Sequence, residues 1–200
     1  PKKILDEEIN WILNLGVESK TGLELGKDFS VNTLFDEGYD SVFIGVGAHK
    51  AATMGLKHED ETDSIFKGID FLRKVEMGDK PNLYGTVIIV GGGNTAIDAS
   101  RTALRCGADK VKIVYRRSLN EMPASHEEIE AAQNEGIEIL FLTNPKSIVF
   151  ENSKMTGIEC LRQKLEQKKD GERPQPVPIE GSEFIIECNF IIGAIGQKVD

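Results

Sequence analysis

Residues 86–98 read Thr-Val-Ile-Ile-Val-Gly-Gly-Gly-Asn-Thr-Ala-Ile-Asp. The apolar run 87–90 predicts a strand buried on both faces, the pattern of a parallel sheet. A glycine triplet follows, and a helix is predicted to open at Asn94. The pattern G-x-G-x-x-G/A falls on Gly91, Gly93 and Ala96, with Gly92 inside it. Gly91 suits the tight turn, Gly93 lets backbone approach a pyrophosphate, and Ala96 keeps helix close to strand. At Asn94 and Thr95 the helix start offers unpaired N–H groups and a positive dipole end to phosphates.

Working outward, Ala96, Ile97, Ala99, Ala103 and Leu104 recur at helical spacing, and Gly107 stands where a helix cap belongs. The run 111–115, VKIVY, predicts a second strand. Residues 86–115 thus have the length of a strand–helix–strand nucleotide-binding half. The residue type after the second strand selects the nucleotide. An acid there would bond the ribose 2′-OH of NAD, whereas an arginine accommodates the 2′-phosphate of NADP. This chain has Arg116 and Arg117, about 25 positions after Gly91, and no acid. A guanidinium can grip a phosphate bidentately, so NADP(H) is the expected nucleotide, with Arg116 the first contact. The plainer alternative is a solvated charge at a strand end.

The stretch VIIVGGGNTAIDASRTALRCGADKVKIVYRRSLNEMPASHEEIEAAQNEGIEILF, continued by SIV, TGIECLR and GSEFIIECNFIIGAIGQ, resembles the NADPH-binding domain of the glutamate synthase small (beta) subunit family. PKKILDEEINWILNLGVE and YDSVFIGVGAHKAATMGL resemble the stretch before that domain, so the likeness covers nearly the whole chain. It departs at Gly45-Val46-Gly47-Ala48, where the family has Ala-Thr-Gly. The resemblance implies a Rossmann-like FAD/NAD(P)-binding α/β fold, with a parallel sheet, helices and an antiparallel three-stranded excursion. It implies hydride delivery from NADPH to FAD for onward electron transfer. It also implies a partner: a larger glutamate synthase-like subunit or an iron–sulfur protein. Gly193, Ala194 and Gly196 are expected close to the cofactor, and Asp98 either orients the nicotinamide or complements the helix dipole. The family's N-terminal FAD fingerprint and C-terminal Gly-Asp motif do not occur in these residues. The expectation is therefore a fragment: a partial flavin-domain remnant at 1–82 and an NADP-binding domain at 83–200, inactive in isolation and unable to hold FAD. Two alternatives carry the same fold: a non-catalytic nucleotide-sensing module, and the flavoprotein subunit of a ferredoxin:NADP oxidoreductase.

A net charge of −9 over 200 residues argues against nucleic acid as a partner. No apolar run approaches a membrane span, so no membrane association is expected. Cys106, Cys160 and Cys188 are odd in number and widely spaced, which fits buried thiols in a reducing cytoplasm. No metal site is expected, the acids at 59–63 reading as a solvated loop. No catalytic side chain is named, because hydride transfer needs placement more than protein acids or bases. Arg101 and Arg105 read as solvent or intradomain contacts.

Helices are expected at 4–15, from Ser30 to 35, at 65–75 and at 126–135, the last capped by Ser125 with Glu128. Strands are expected at 40–46, 137–142 and 189–194, and antiparallel strands at 147–151, 156–163 and 183–187. Residues 164–181 read as a long, charged, exposed connection.

Overall fold

The computed structural model describes residues 2–167 and 173–199. Contacts divide the chain into two compact units, Pro1–Val46 and Gly47–Asp200. The first unit holds helix α1 (Lys2–Leu13) and the short helix α2 (Val31–Asp36). Ser30 caps α2, its Oγ accepting from the Thr33 N–H, while the Thr33 hydroxyl accepts from the Ser30 N–H. Residues 40–46 form no strand, contrary to the sequence pattern. A strand needs a ladder partner for its N–H and C=O groups, and none of the described residues pairs with this run.

The second unit is built in three layers. Its middle layer is a five-stranded parallel sheet with the order β2-β9-β3-β4-β5. The strands are β2 (Ile65–Lys67), β3 (Thr86–Val90), β4 (Lys110–Val114), β5 (Glu138–Leu140) and β9 (Phe190–Gly193). Pairing runs Val87↔Val111 and Val90↔Val114 on one side of β3, and Val87↔Phe190 and Val90↔Gly193 on the other. The run 87–90 is apolar throughout because both faces of β3 are covered. Val87 and Ile89 pack with α3 (Gly68–Glu76), α4 (Asn94–Arg105) and α5 (His126–Asn134), against Phe71, Ile97, Ala99 and Ile129. Ile88 and Val90 pack the other way, against Ile148, Met155, Ile158 and Cys160. Those residues belong to an antiparallel sheet of β6 (Thr143–Glu151), β7 (Lys154–Glu166) and β8 (Gln175–Glu187). A two-stranded ribbon, β1 (Lys50–Ala51) with β10 (Gln197–Lys198), completes the unit.

Two differences from the sequence reading have physical causes. Residues 65–67 are a strand and not the first turn of a helix. Ile65, Phe66 and Lys67 pair with Ile191, Ile192 and Gly193 of β9, and the helix starts only at Gly68. Gly68 sits close on Ala194, where an added Cβ would lie 3.1 Å from the alanine Cβ. By contacts, residues 47–82 group with the second unit, whereas the sequence reading takes 1–82 as one segment. The second difference is at 164–181. Lys164 pairs with Val177 and Glu166 with Gln175, so much of that charged stretch is ladder. Residues 168–172 lie outside the described part.

Candidate functional site

The carboxyl ends of β3, β4 and β9 meet at one edge of the sheet, at Val90, Val114 and Gly193. Ligands of open α/β sheets bind at this edge. Here it opens into a cleft of about 530 Å³, a volume suited to a cofactor-sized molecule. Gly91, Gly92, Gly93 and Thr95 form one wall, Ala194 and Gly196 another, and Arg116 and Arg117 line the far end. Eight of the twelve binding residues expected from sequence thus share one cavity.

The three glycines have different reasons to be glycine. Gly91 has φ +145, a region that disfavours side chains, and an added Cβ would overlap the Ala194 carbonyl. Its N–H donates to the Val114 carbonyl at 3.1 Å, and the Ala194 N–H donates to the Val90 carbonyl at 2.7 Å. A Cβ on Gly92 would lie 2.5 Å from the Tyr115 ring. Gly93 is the exception. As N-cap of α4 it has φ −90 and ψ 176, ordinary extended backbone. A Cβ there would meet only the Pro123 ring, at 3.9 Å. Nothing inside the protein requires glycine at 93. Among the described residues, no protein acceptor takes the N–H groups of Gly92, Gly93 or Asn94. Those donors border a cleft, where an anion would satisfy them.

Arg116 is exposed, whereas Arg117 is 7 % exposed. Arg117 is held by its Nε, which donates to the Pro174 carbonyl at 3.0 Å. A third guanidinium, Arg173, also lines the cleft. Its Nη2 donates to the Tyr115 phenol oxygen at 2.8 Å, and that hydroxyl donates to the Glu121 carbonyl at 2.6 Å. Arg173 was not legible from sequence, because it sits in the charged stretch that reads as exposed connection. Met54 was also missed. It lines the cleft with its side chain against Gly193, where a Cβ would lie 3.0 Å from Met54 Cγ. Glu59 fixes that loop, its carboxylate accepting from the N–H groups of Met54, Gly55 and Leu56. At least one acid of 59–63 thus orders backbone rather than only facing solvent.

Four expected residues stand outside the cleft wall. Ala96, in the first turn of α4, is fully buried, and its small side chain brings helix and sheet together. Gly193 is bonded in the ladder beside Val90. Asn94 is exposed and its Oδ1 accepts from the Ser125 N–H at 3.3 Å, tying the starts of α4 and α5 together. Asp98 is exposed on α4, on the side of Glu128 and Arg101. Partial desolvation raises its carboxyl above the ordinary value, Glu128 raises it further, and Arg101 works against both.

Arg101 and Arg105 are intradomain contacts, both bonded to Glu135 at 2.7 and 3.1 Å. The three cysteines are free and buried. Among the described residues there is no cluster of three or more His, Cys, Asp or Glu able to hold a metal ion. No described helix is long and apolar enough to cross a membrane.

The chain is 41 % identical over 203 residues to the NADPH-Fe(3+) oxidoreductase subunit beta of Geobacter sulfurreducens, covering all of this chain and 30 % of that protein. It is 42 % identical over 202 residues to the NADP(+)-dependent formate dehydrogenase subunit beta of Moorella thermoacetica, covering 28 % of it. It is 33 % identical over 209 residues to the glutamate synthase [NADPH] small chain of Escherichia coli, covering 98 % of this chain and 44 % of that one. The chain therefore spans less than half the length of these relatives. In structure it resembles Mycobacterium tuberculosis FprA in complex with NADPH, with a TM-score of 0.71 at 18 % identity over 88 % of this chain and 54 % of that one. Residues 3–200 match the family model described as pyridine nucleotide-disulphide oxidoreductase. With a two-sided parallel sheet, a glycine loop at its carboxyl edge and this match along nearly its full length, the chain belongs to the pyridine nucleotide-disulphide oxidoreductase family.

Proposed function

We propose that this chain is the NADPH-binding segment of a flavoprotein oxidoreductase resembling the glutamate synthase small subunit. The observation that carries this reading is Gly93. A glycine with ordinary backbone angles and open space for a Cβ has no structural need to be one. A closely approaching ligand supplies the need. The donors of Gly92, Gly93 and Asn94 would hold the pyrophosphate. Arg116 and Arg117 would hold the 2′-phosphate at the end of β4. Ala194 and Gly196, which line the cleft with Met54, would border the nicotinamide end. Bound there, a reduced nicotinamide would supply a hydride for a flavin in the longer protein.

The chain's own residues bind and place the nucleotide and transfer no proton. Val90, Val114 and Met54 line the cleft with apolar surface, and the donors fix orientation. A larger subunit or an iron–sulfur protein would receive the electrons. The buried free thiols suit a reducing compartment such as the cytoplasm.

The test uses the full-length protein. NADPH and NADH are titrated into wild type and Arg116→Ala by calorimetry. Wild type should prefer NADPH, and the variant should lose roughly tenfold in NADPH affinity with NADH nearly unchanged. A wild type that prefers NADH, or equal losses for both, refutes the assignment.

A further inference from the structure

Three guanidiniums, those of Arg116, Arg117 and Arg173, line one cleft. Arg101 and Arg105 bond Glu135, Lys112 bonds Glu138, and Lys146 bonds Glu159 and Glu183. Acids are plentiful, 33 against 24 Lys and Arg. Yet among the described residues none of Arg116, Arg117 and Arg173 has a carboxylate in ion-pair contact. Three like charges in one cavity repel, and arginine cannot relieve this by losing its proton. The arrangement is suited to a ligand with more than one negative charge at that end of the cleft.

Two of the three are tied to each other's chain segments. Arg117, 57 positions before Pro174, donates its Nε to the Pro174 carbonyl. Arg173, 58 positions after Tyr115, donates one Nη2 bond to the Tyr115 phenol. The short segment 173–174, at the entry to β8, is therefore stitched to the end of β4 by two hydrogen bonds. Each bond uses one nitrogen of its guanidinium. Among the described residues no protein acceptor takes the terminal nitrogens of Arg117.

Resting on the NADPH reading above, we propose that Arg173 is a specificity-determining residue that adds a third guanidinium to the 2′-phosphate site. The Pro174 carbonyl positions Arg117 for the same phosphate. The end of β4, where Tyr115 anchors Arg173, is where this class of fold chooses between a ribose hydroxyl and a 2′-phosphate. The pyrophosphate is already served by the glycine loop. Holding Arg173 and Arg117 before the ligand arrives lowers the side-chain ordering cost of binding. Nucleotide choice is then made jointly by the β4 end and by the antiparallel sheet, two parts far apart in sequence.

The test is Arg173→Ala in the full-length protein beside wild type and Arg116→Ala. The probes are NADPH, NADH and the fragment 2′,5′-ADP, titrated at low and high salt. Arg173 is exposed, so its truncation spares the core. The variant should lose roughly tenfold in affinity for NADPH and for 2′,5′-ADP, while NADH changes by less than about twofold. Its salt dependence for 2′,5′-ADP should also be shallower than that of wild type. Unchanged NADPH affinity in Arg173→Ala, with Arg116→Ala still losing it, overturns the role of Arg173 and leaves the nucleotide assignment standing. Equal losses for NADPH and NADH in Arg173→Ala make the residue a strut for Tyr115, which also overturns the role. No preference for NADPH in wild type overturns both.

Discussion

Replacing Gly93 with valine separates the fold from the ligand in one substitution. At φ −90 and ψ 176 a β-branched residue is at ease. The new Cβ meets only Pro123 Cγ, at ordinary contact distance of 3.9 Å. Removing a glycine from the unfolded ensemble stabilises by about 0.4–1 kcal/mol. Replacing a tolerated N-cap residue with an apolar one costs roughly 0.5–1 kcal/mol. The two terms oppose each other, so stability should change by less than about 1 kcal/mol. Binding should not cancel in this way. A side chain at 93 pushes the pyrophosphate off the N–H groups of the loop. A hydrogen bond to a charged group contributes roughly 1.5–3 kcal/mol. One lost contact therefore weakens binding by roughly ten- to a hundredfold, for NADPH and NADH alike, because both carry the pyrophosphate. Gly91 would not give so clean a result. Its φ of +145 and the overlap with the Ala194 carbonyl make any side chain there a folding defect. The assay is thermal unfolding of the full-length Gly93→Val protein alongside calorimetric titration of both nucleotides. A variant that melts like wild type and binds both as tightly would show that the glycine loop is structural only, and the argument from Gly93 would fail.

Two further outcomes follow from the electrostatics. Burial pushes the Cys160 and Cys188 thiols up to about 12, so neither forms thiolate at neutral pH. A thiol-specific reagent should label them only on unfolding, and rapid labelling of the native protein at pH 7 would contradict their placement. The Glu135 carboxyl is lowered to about 2, first by the hydrogen bond from Arg101 and then by that from Arg105. Its folded value lies below the ordinary 4.5, so its contribution is complete above about pH 4.5 and fades as pH falls toward 2. Glu135→Gln should reduce the loss of stability between those limits, measured by urea unfolding at a series of pH values. An identical acid profile for variant and wild type would mean that the bonds to Arg101 and Arg105 do not persist in solution.

Local pattern alone determined the nucleotide-binding half. The apolar run of β3, the glycine triplet, the helical spacing of α4 and the arginines after β4 lie within a few dozen consecutive residues. Each rests on short-range rules of periodicity, turn geometry and capping, which need no partner. That 190–193 is a strand was legible for the same reason, as an apolar run, but its place in the sheet was not. Other features depended on partners far along the chain. Residues 65–67 are a strand because β9 offers them a ladder, and 40–46 are not because no described strand does. Ladder pairing is a relation between segments, so an isolated apolar run cannot announce it. The same holds for the site. Glycine spacing placed the loop at the carboxyl end of β3, but nothing near position 173 points to position 115. The antiparallel sheet folds across one face of the parallel sheet, burying Ile148, Ile158 and Cys160 against Ile88 and Val90. That packing brings Arg173 and Pro174 to Tyr115 and Arg117, and so only the tertiary structure decided the third cation of the cleft.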